Sequence, residues 1–102
     1  MPPPATAARP GYAIGHITVR DPVVWQTYCA AVPATLEPWD AEIVFRGKRH
    51  AVYSGTHPAT DTVVIRFPSL AAVDGWQASA AYQAIVPLRE AAADVTLLAF
   101  ET

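Results

Sequence analysis

A chain of 102 residues makes one domain with a single core and has no length for a second. Its hydrophobic share of 52% excludes a disordered chain, and its formal net charge of -2 provides none of the basic surface that phosphate binding needs, so nucleic acid is not expected as a partner. Cys29 is the single cysteine and has no internal disulfide partner. No apolar run approaches a membrane span and no basic-then-apolar leader opens the sequence, so a cytoplasmic protein with no membrane partner is expected.

Residues 1–10 are rich in Pro and Ala, with Arg9 as their one charge, and read as a flexible arm before a single domain over 11–102. Residues 11–20 alternate, placing Tyr12, Ile14, His16 and Thr18 on one side of a first strand and Ala13, Gly15, Ile17 and Val19 on the other. Asp21 followed by Pro22 is a helix start: the carboxylate takes free N–H groups, and the proline stands where a missing N–H does no harm. Trp25, Tyr28, Cys29, Val32 and Leu36 then recur at helical spacing, with Pro33 expected to kink or end the helix early and Pro38 closing the segment.

Residues 42–67 hold most of the β-forming side chains. Strict alternation assigns Ile43, Phe45, Val63, Ile65 and Phe67 to one face, and Glu42, Val44, Arg46, Thr62, Val64 and Arg66 to the other. Gly47 is expected to mark a tight bend or bulge before a further short strand that runs toward Ser54, and Gly55–Asp61 reads as a loop. After Thr62–Phe67, Ser69 caps a short helix through Leu70, Val73 and Trp76. Ser79 caps another with Ala81, Ile85, Leu88 and Ala92 as its stripe, bent at Pro87, and Val95–Phe100 closes the sheet.

The expected order is β-α-β-β-(β)-α-α-β, an α+β chain. Right-handed crossovers fold it into a ferredoxin-like split βαβ sandwich with helices on one sheet face only. Two copies pairing through the bare faces would cover Ile14, Val44 and Val64, giving a homodimer in the form of a dimeric α+β barrel.

Gly11-Tyr12, Asp21-Pro22, Tyr28, Arg46-Gly47, Phe67-Pro68-Ser69-Leu70, Trp76, Ser79-Ala80-Ala81-Tyr82-Gln83 and Arg89 together resemble the family known as domain of unknown function 1330, part of the dimeric α+β barrel group. The resemblance implies the fold and the dimer. It says less of function, since the structural relatives of the family include cofactor-free monooxygenases, isomerases and cyclases. Typical members carry Arg-Gly-Gly and then glutamates, where this chain has Arg46-Gly47-Lys48 and then Ala51 and Ser54, so a role for those carboxylates is absent here. His50 and Tyr53 fall in that region and mark a different ligand contact.

Arg46 and His16, expected on one mixed face, are candidates for a shared cavity: Arg46 to hold a carboxylate, phenolate or enolate, His16 to move a proton. The structural alternatives are an Arg46–Glu42 pair and an interface histidine. Tyr82 and Arg89, seven residues apart, present a phenol and a guanidinium on one side and either polarise a substrate oxygen or anchor helix to sheet. Tyr28, Trp76, His50 and Arg66 are further candidate substrate contacts, the aromatic ones being first of all core. No His-x-x-x-His, cysteine cluster, Gly-rich phosphate loop or nucleophile elbow is present, so neither a metal nor another cofactor is expected. The function these residues suggest is a small cofactor-free enzyme that acts on an organic acid or polyketide-like small molecule by acid/base and oxyanion stabilisation. The alternatives are a non-catalytic small-molecule-binding or accessory homodimer, and a purely structural dimer.

Overall fold

Three side-chain caps place the helices where the sequence puts them. In the computed structural model, which describes residues 9–102, Asp21 Oδ1 accepts from the N–H groups of Val23 (3.1 Å) and Val24 (3.2 Å) and opens α1 (Pro22–Leu36). Ser69 Oγ accepts from Ala72 N–H at 3.1 Å and opens α2 (Leu70–Ala78). Ser79 serves two helices: its N–H and Oγ–H donate to the Trp76 carbonyl (3.0 and 2.7 Å), closing α2, and its Oγ accepts from Tyr82 N–H, opening α3 (Ala80–Gln83).

The strands β1 (Gly11–Val19), β2 (Glu42–Lys48), β3 (Asp61–Phe67) and β4 (Ala93–Glu101) form one antiparallel sheet in the order β2-β3-β1-β4, with α4 (Val86–Ala92) ahead of β4. This is the ferredoxin-like split βαβ order. Ala13, Ile17, Ile65 and Phe67 point from the sheet into a core with Tyr28, Val32 and Leu36 of α1, Val73 and Trp76 of α2, and Tyr82 of α3. Tyr12, Ile14, Val64, Leu98 and Phe100 lie on the other face, which no helix among the described residues covers. The arm expected over residues 1–10 falls, for 1–8, outside the described residues.

Four local expectations are corrected. Helix α1 runs through Pro33 to Leu36, because Val32, Thr35 and Leu36 are buried on either side of the proline and packing holds the last turn. The break expected at Pro87 comes earlier, at Ala84–Ile85, since the proline ring obstructs the carbonyl four residues before it, at Gln83, where α3 ends. No strand forms over 49–54. The Arg49 guanidinium instead donates to the carbonyls of His57 (2.7 Å) and Ala59 (2.8 Å) and ties the segment down as a loop. Gly47 is neither bend nor bulge: β2 passes straight through it in regular register, and its lack of a side chain admits the Phe45 ring, which a Cβ would meet at 2.6 Å.

Candidate functional site

The register of β2 decides where the site lies. Ile43 pairs with Ile65, but the next partners are Phe45 with Val64 and Arg46 with Val63, so a β-bulge places one extra residue in β2 between Ile43 and Phe45. That residue reverses the alternation beyond it. Phe45 is sent to the bare face and Arg46 to the helical side, opposite to the faces expected for both.

On the helical side, a cavity of about 80 Å3 opens between α1, α3 and the sheet. A water needs only about 10–15 Å3 measured this way, so the space suits an organic group. Its walls are apolar, from Ile17, Trp25, Val32, Ile43, Val63 and Leu97, with the buried Trp76, Tyr28 and Tyr82 beside them and Arg46 and Asp61 among its polar lining. Gly15 forms part of the floor, where a Cβ would stand 3.1 Å from Val63 Cγ1. The aromatic wall is rigid: Trp25 stacks on Tyr28 with centroids 5.0 Å apart, and Trp76 lies 4.0 Å from Tyr82 and 5.4 Å from Phe67. Trp76 is held further by its Nε1–H, which donates to Thr35 Oγ1 at 3.0 Å.

The polar groups of this cavity are few and directed. Arg89 Nη1 donates to the Tyr82 hydroxyl at 2.9 Å in a partly buried bond, and the Tyr82 and Tyr28 hydroxyls are bonded to each other at 2.8 Å in the interior. Burial pushes the Tyr28 phenol well above its ordinary value; the neighbouring Tyr82 adds to this and Arg89 opposes it, so Tyr28 keeps its proton. Burial also raises the Cys29 thiol, with Arg46 pulling it back in part, which leaves the cysteine protonated and a poor nucleophile. Among the described residues Arg46 forms no ion pair and its guanidinium no hydrogen bond, whereas Lys48 is near Asp61 (3.7 Å), Arg66 pairs with Glu42 (2.8 Å) and Arg20 with Asp94 (3.1 Å). Exposed at the cavity lining and unpaired, Arg46 is the cation there that is free to meet an anion.

The cavity thus gathers Arg46, Tyr28, Tyr82 and Trp76, with Arg89 behind Tyr82. It does not gather His16, His50 or Arg66, and among the described residues His16 and Arg46 lie on opposite sides of the sheet with no cavity lined by both. His16 belongs to the bare face, where Nδ1 lies 3.2 Å from Thr62 Oγ1 and the ring meets His57 edge-on at 4.8 Å. Arg66 is on that face too, engaged by Glu42, which therefore does not pair with Arg46. His50 is exposed in the loop after β2. Asp61, which no sequence pattern singles out, reaches the cavity because it opens β3 on the same side as Val63 and Ile65. No group of three or more His, Cys, Asp or Glu is gathered for a metal ion among the described residues.

A family model described as "Domain of unknown function (DUF1330)" matches residues 10–102. The chain belongs to this family. The bulge-directed Arg46, Tyr28, Trp76, Tyr82 and Arg89 of this DUF1330 chain are all among the residues that carry the sequence resemblance. Among solved structures, the RPA0582 protein of unknown function from Rhodopseudomonas palustris is similar with a TM-score of 0.77 at 18% identity, over 92% of this chain and 82% of that one. SnoaB, a cofactor-independent oxygenase from Streptomyces nogalater, is similar with a TM-score of 0.66 at 13% identity, over 93% and 94% of the two chains. A dimeric ferredoxin-like protein of unknown function from Thermobifida fusca is similar with a TM-score of 0.63 at 13% identity, over 93% and 92%. At such identities the likeness establishes the fold. No curated protein matches the chain in sequence.

Proposed function

We propose that this DUF1330 chain is a small cofactor-free enzyme that takes an organic acid or polyketide-like molecule into the cavity between the helices and the sheet. The observation that carries the proposal is Arg46, an unpaired cation lining a largely apolar cavity whose one carboxylate, Asp61, lies near Lys48 instead. An arginine left without an anion beside apolar walls is matched by a ligand with an apolar body and one carboxylate, phenolate or enolate oxygen. Arg46 holds and stabilises that oxygen as charge develops on it, Trp25 and Trp76 flank the body, and the two buried tyrosines lie beside it. The acid/base part expected of His16 passes to Asp61, the carboxylate of the cavity wall. SnoaB, with the same fold, is a cofactor-independent oxygenase, and that adds support for chemistry without a bound cofactor.

The same proposal takes the working form to be a homodimer. Phe45 (54% exposed), Phe100 (48%) and Leu98 (39%) crowd a sheet face that a second copy would cover, and the Thermobifida fusca protein of this fold is dimeric. We place the protein in the cytoplasm, in keeping with its half-buried free Cys29. No helix among the described residues is long and apolar enough to cross a membrane.

A second reading is a non-catalytic binder of the same molecules, favoured by the placement of His16 away from the cavity. Incubation with a panel of hydroxyaromatic and enone acids in chelator-treated buffer, followed by mass spectrometry, separates the two. Turnover that falls in Arg46→Ala supports the enzyme; molecules retained without conversion support the binder; neither retention nor conversion across the panel removes both.

A further inference from the structure

We propose that the cavity selects ligands with two oxygen sites: an anionic oxygen at the exposed Arg46, and a carbonyl or other neutral acceptor at the buried tyrosines, met by a single hydroxyl proton left over from the Tyr28–Tyr82 pair. This rests on the reading of the cavity as a ligand site and adds the second recognition element.

The inference follows from counting protons. Tyr28 and Tyr82 are 8% and 0% exposed, so their hydroxyl protons need partners within the protein or the cavity. The pair has two such protons. The bond between the two oxygens, 2.8 Å long, uses one, whichever of them donates. The third member of the chain, Arg89, reaches Tyr82 at 2.9 Å, but a guanidinium has five donors and no acceptor, so it cannot receive the other proton. Among the described residues neither hydroxyl has a further partner. One O–H is therefore left over in either arrangement, on Tyr28 when Tyr82 donates and on Tyr82 when Tyr28 donates. Both rings line the cavity, where an acceptor oxygen on the ligand would satisfy it. Arg89 fixes the sign of the device: by donating to Tyr82 it favours the arrangement in which Tyr82 donates onward, making the leftover proton a better donor toward an oxygen that gains charge.

The class of ligand is then an aromatic or enone acid with a carbonyl remote from its carboxylate. Two probes of nearly equal shape test this: 4-acetylbenzoate, which has the carbonyl, and 4-isopropylbenzoate, which lacks it. Titration followed by the fluorescence of Trp25 and Trp76 should show the ketone binding roughly three- to tenfold more tightly, the worth of one neutral hydrogen bond. Since either tyrosine alone still has a proton to give, Tyr28→Phe and Tyr82→Phe should each retain part of the preference. The double variant should bind the two probes alike, and its binding of 4-isopropylbenzoate shows that the cavity persists. A measurement on the unaltered protein needs no variant: the infrared carbonyl stretch of bound 4-acetylbenzoate should lie below its value in an aprotic solvent. Equal binding of the two probes, an undiminished preference in the double variant, or an unshifted carbonyl stretch overturns the inference while leaving the cavity as the ligand site. If neither probe binds at all, the cavity reading fails and the inference with it.

Discussion

The hydroxyl oxygens of Tyr28 and Tyr82 lie 2.8 Å apart, joining α1 to α3 across 54 residues of sequence in the interior. Burial there, reinforced by Tyr82, holds the Tyr28 proton well above the value of 10.0 at which an ordinary phenol releases it. The sign of the pH effect follows. Below about pH 10 both folded and unfolded chains keep this proton and the contribution of Tyr28 is intact; above it the unfolded chain sheds the proton while the folded chain cannot, so stability falls as pH rises. Urea denaturation at pH 8 and pH 10.5 should show that fall, and Tyr28→Phe should make it shallower. An equally steep loss in the variant would assign the alkaline sensitivity elsewhere.

Trp76 depends on Thr35 in a similar way. The indole N–H is buried and donates to Thr35 Oγ1 at 3.0 Å, while the threonine hydroxyl proton goes to the Val32 carbonyl at 2.7 Å. Thr35→Val keeps the shape and leaves the indole N–H unpaired, which costs about 1–3 kcal/mol. The urea midpoint should drop with an unchanged slope.

The bare sheet face makes a prediction about assembly. Leu98 pairs with Ile14, and Phe100 with Tyr12, so the two β4 residues lie on the uncovered apolar surface, along its β4 edge. Leu98→Asp puts a charge where a second copy would otherwise bury leucine, and light scattering should read a monomer in place of a dimer. An unaltered dimer in that variant would place the interface on another surface.

Gly15 sets the depth of the cavity floor. Gly15→Val adds bulk where even a Cβ comes within 3.1 Å of Val63 Cγ1, so aromatic acids should bind at least roughly tenfold more weakly, as two methyl-sized groups intrude on a packed space. A titration showing unchanged affinity would mean that the ligand does not reach the floor.

The fold was largely legible because its punctuation is local. Asp21-Pro22, Ser69 and Ser79 each place an acceptor two or three residues before the N–H they cap, and that spacing is visible in the chain. Of the residues that line the candidate cavity, Arg46, Tyr28, Tyr82 and Trp76 are legible as candidates, whereas Trp25 reads only as core. Their grouping is not. The bulge between Ile43 and Phe45 lies in a run of Ile-Val-Phe with no glycine or proline to mark it, and the one glycine nearby, Gly47, draws attention to the wrong place. Strict alternation through that run put Arg46 beside His16, when the pairing of Arg46 with Val63 takes it to the other side of the sheet. Arg20 went unnoticed for a related reason. Its guanidinium donates to the carbonyls of Glu90 and Ala93 at the end of α4 and to Asp94, partners 70 to 74 residues distant that no local pattern announces.

The side of the sheet that receives a ligand can be read in one comparison. Titration of 4-acetylbenzoate into the unaltered protein, Arg46→Met and His16→Ala, followed by tryptophan fluorescence, should show affinity reduced by roughly ten- to hundredfold in Arg46→Met, the worth of hydrogen bonds to a charged group, and unchanged in His16→Ala. Affinity that survives the loss of Arg46 but falls with the loss of His16 would contradict a site between the helices and the sheet and move it to the uncovered face.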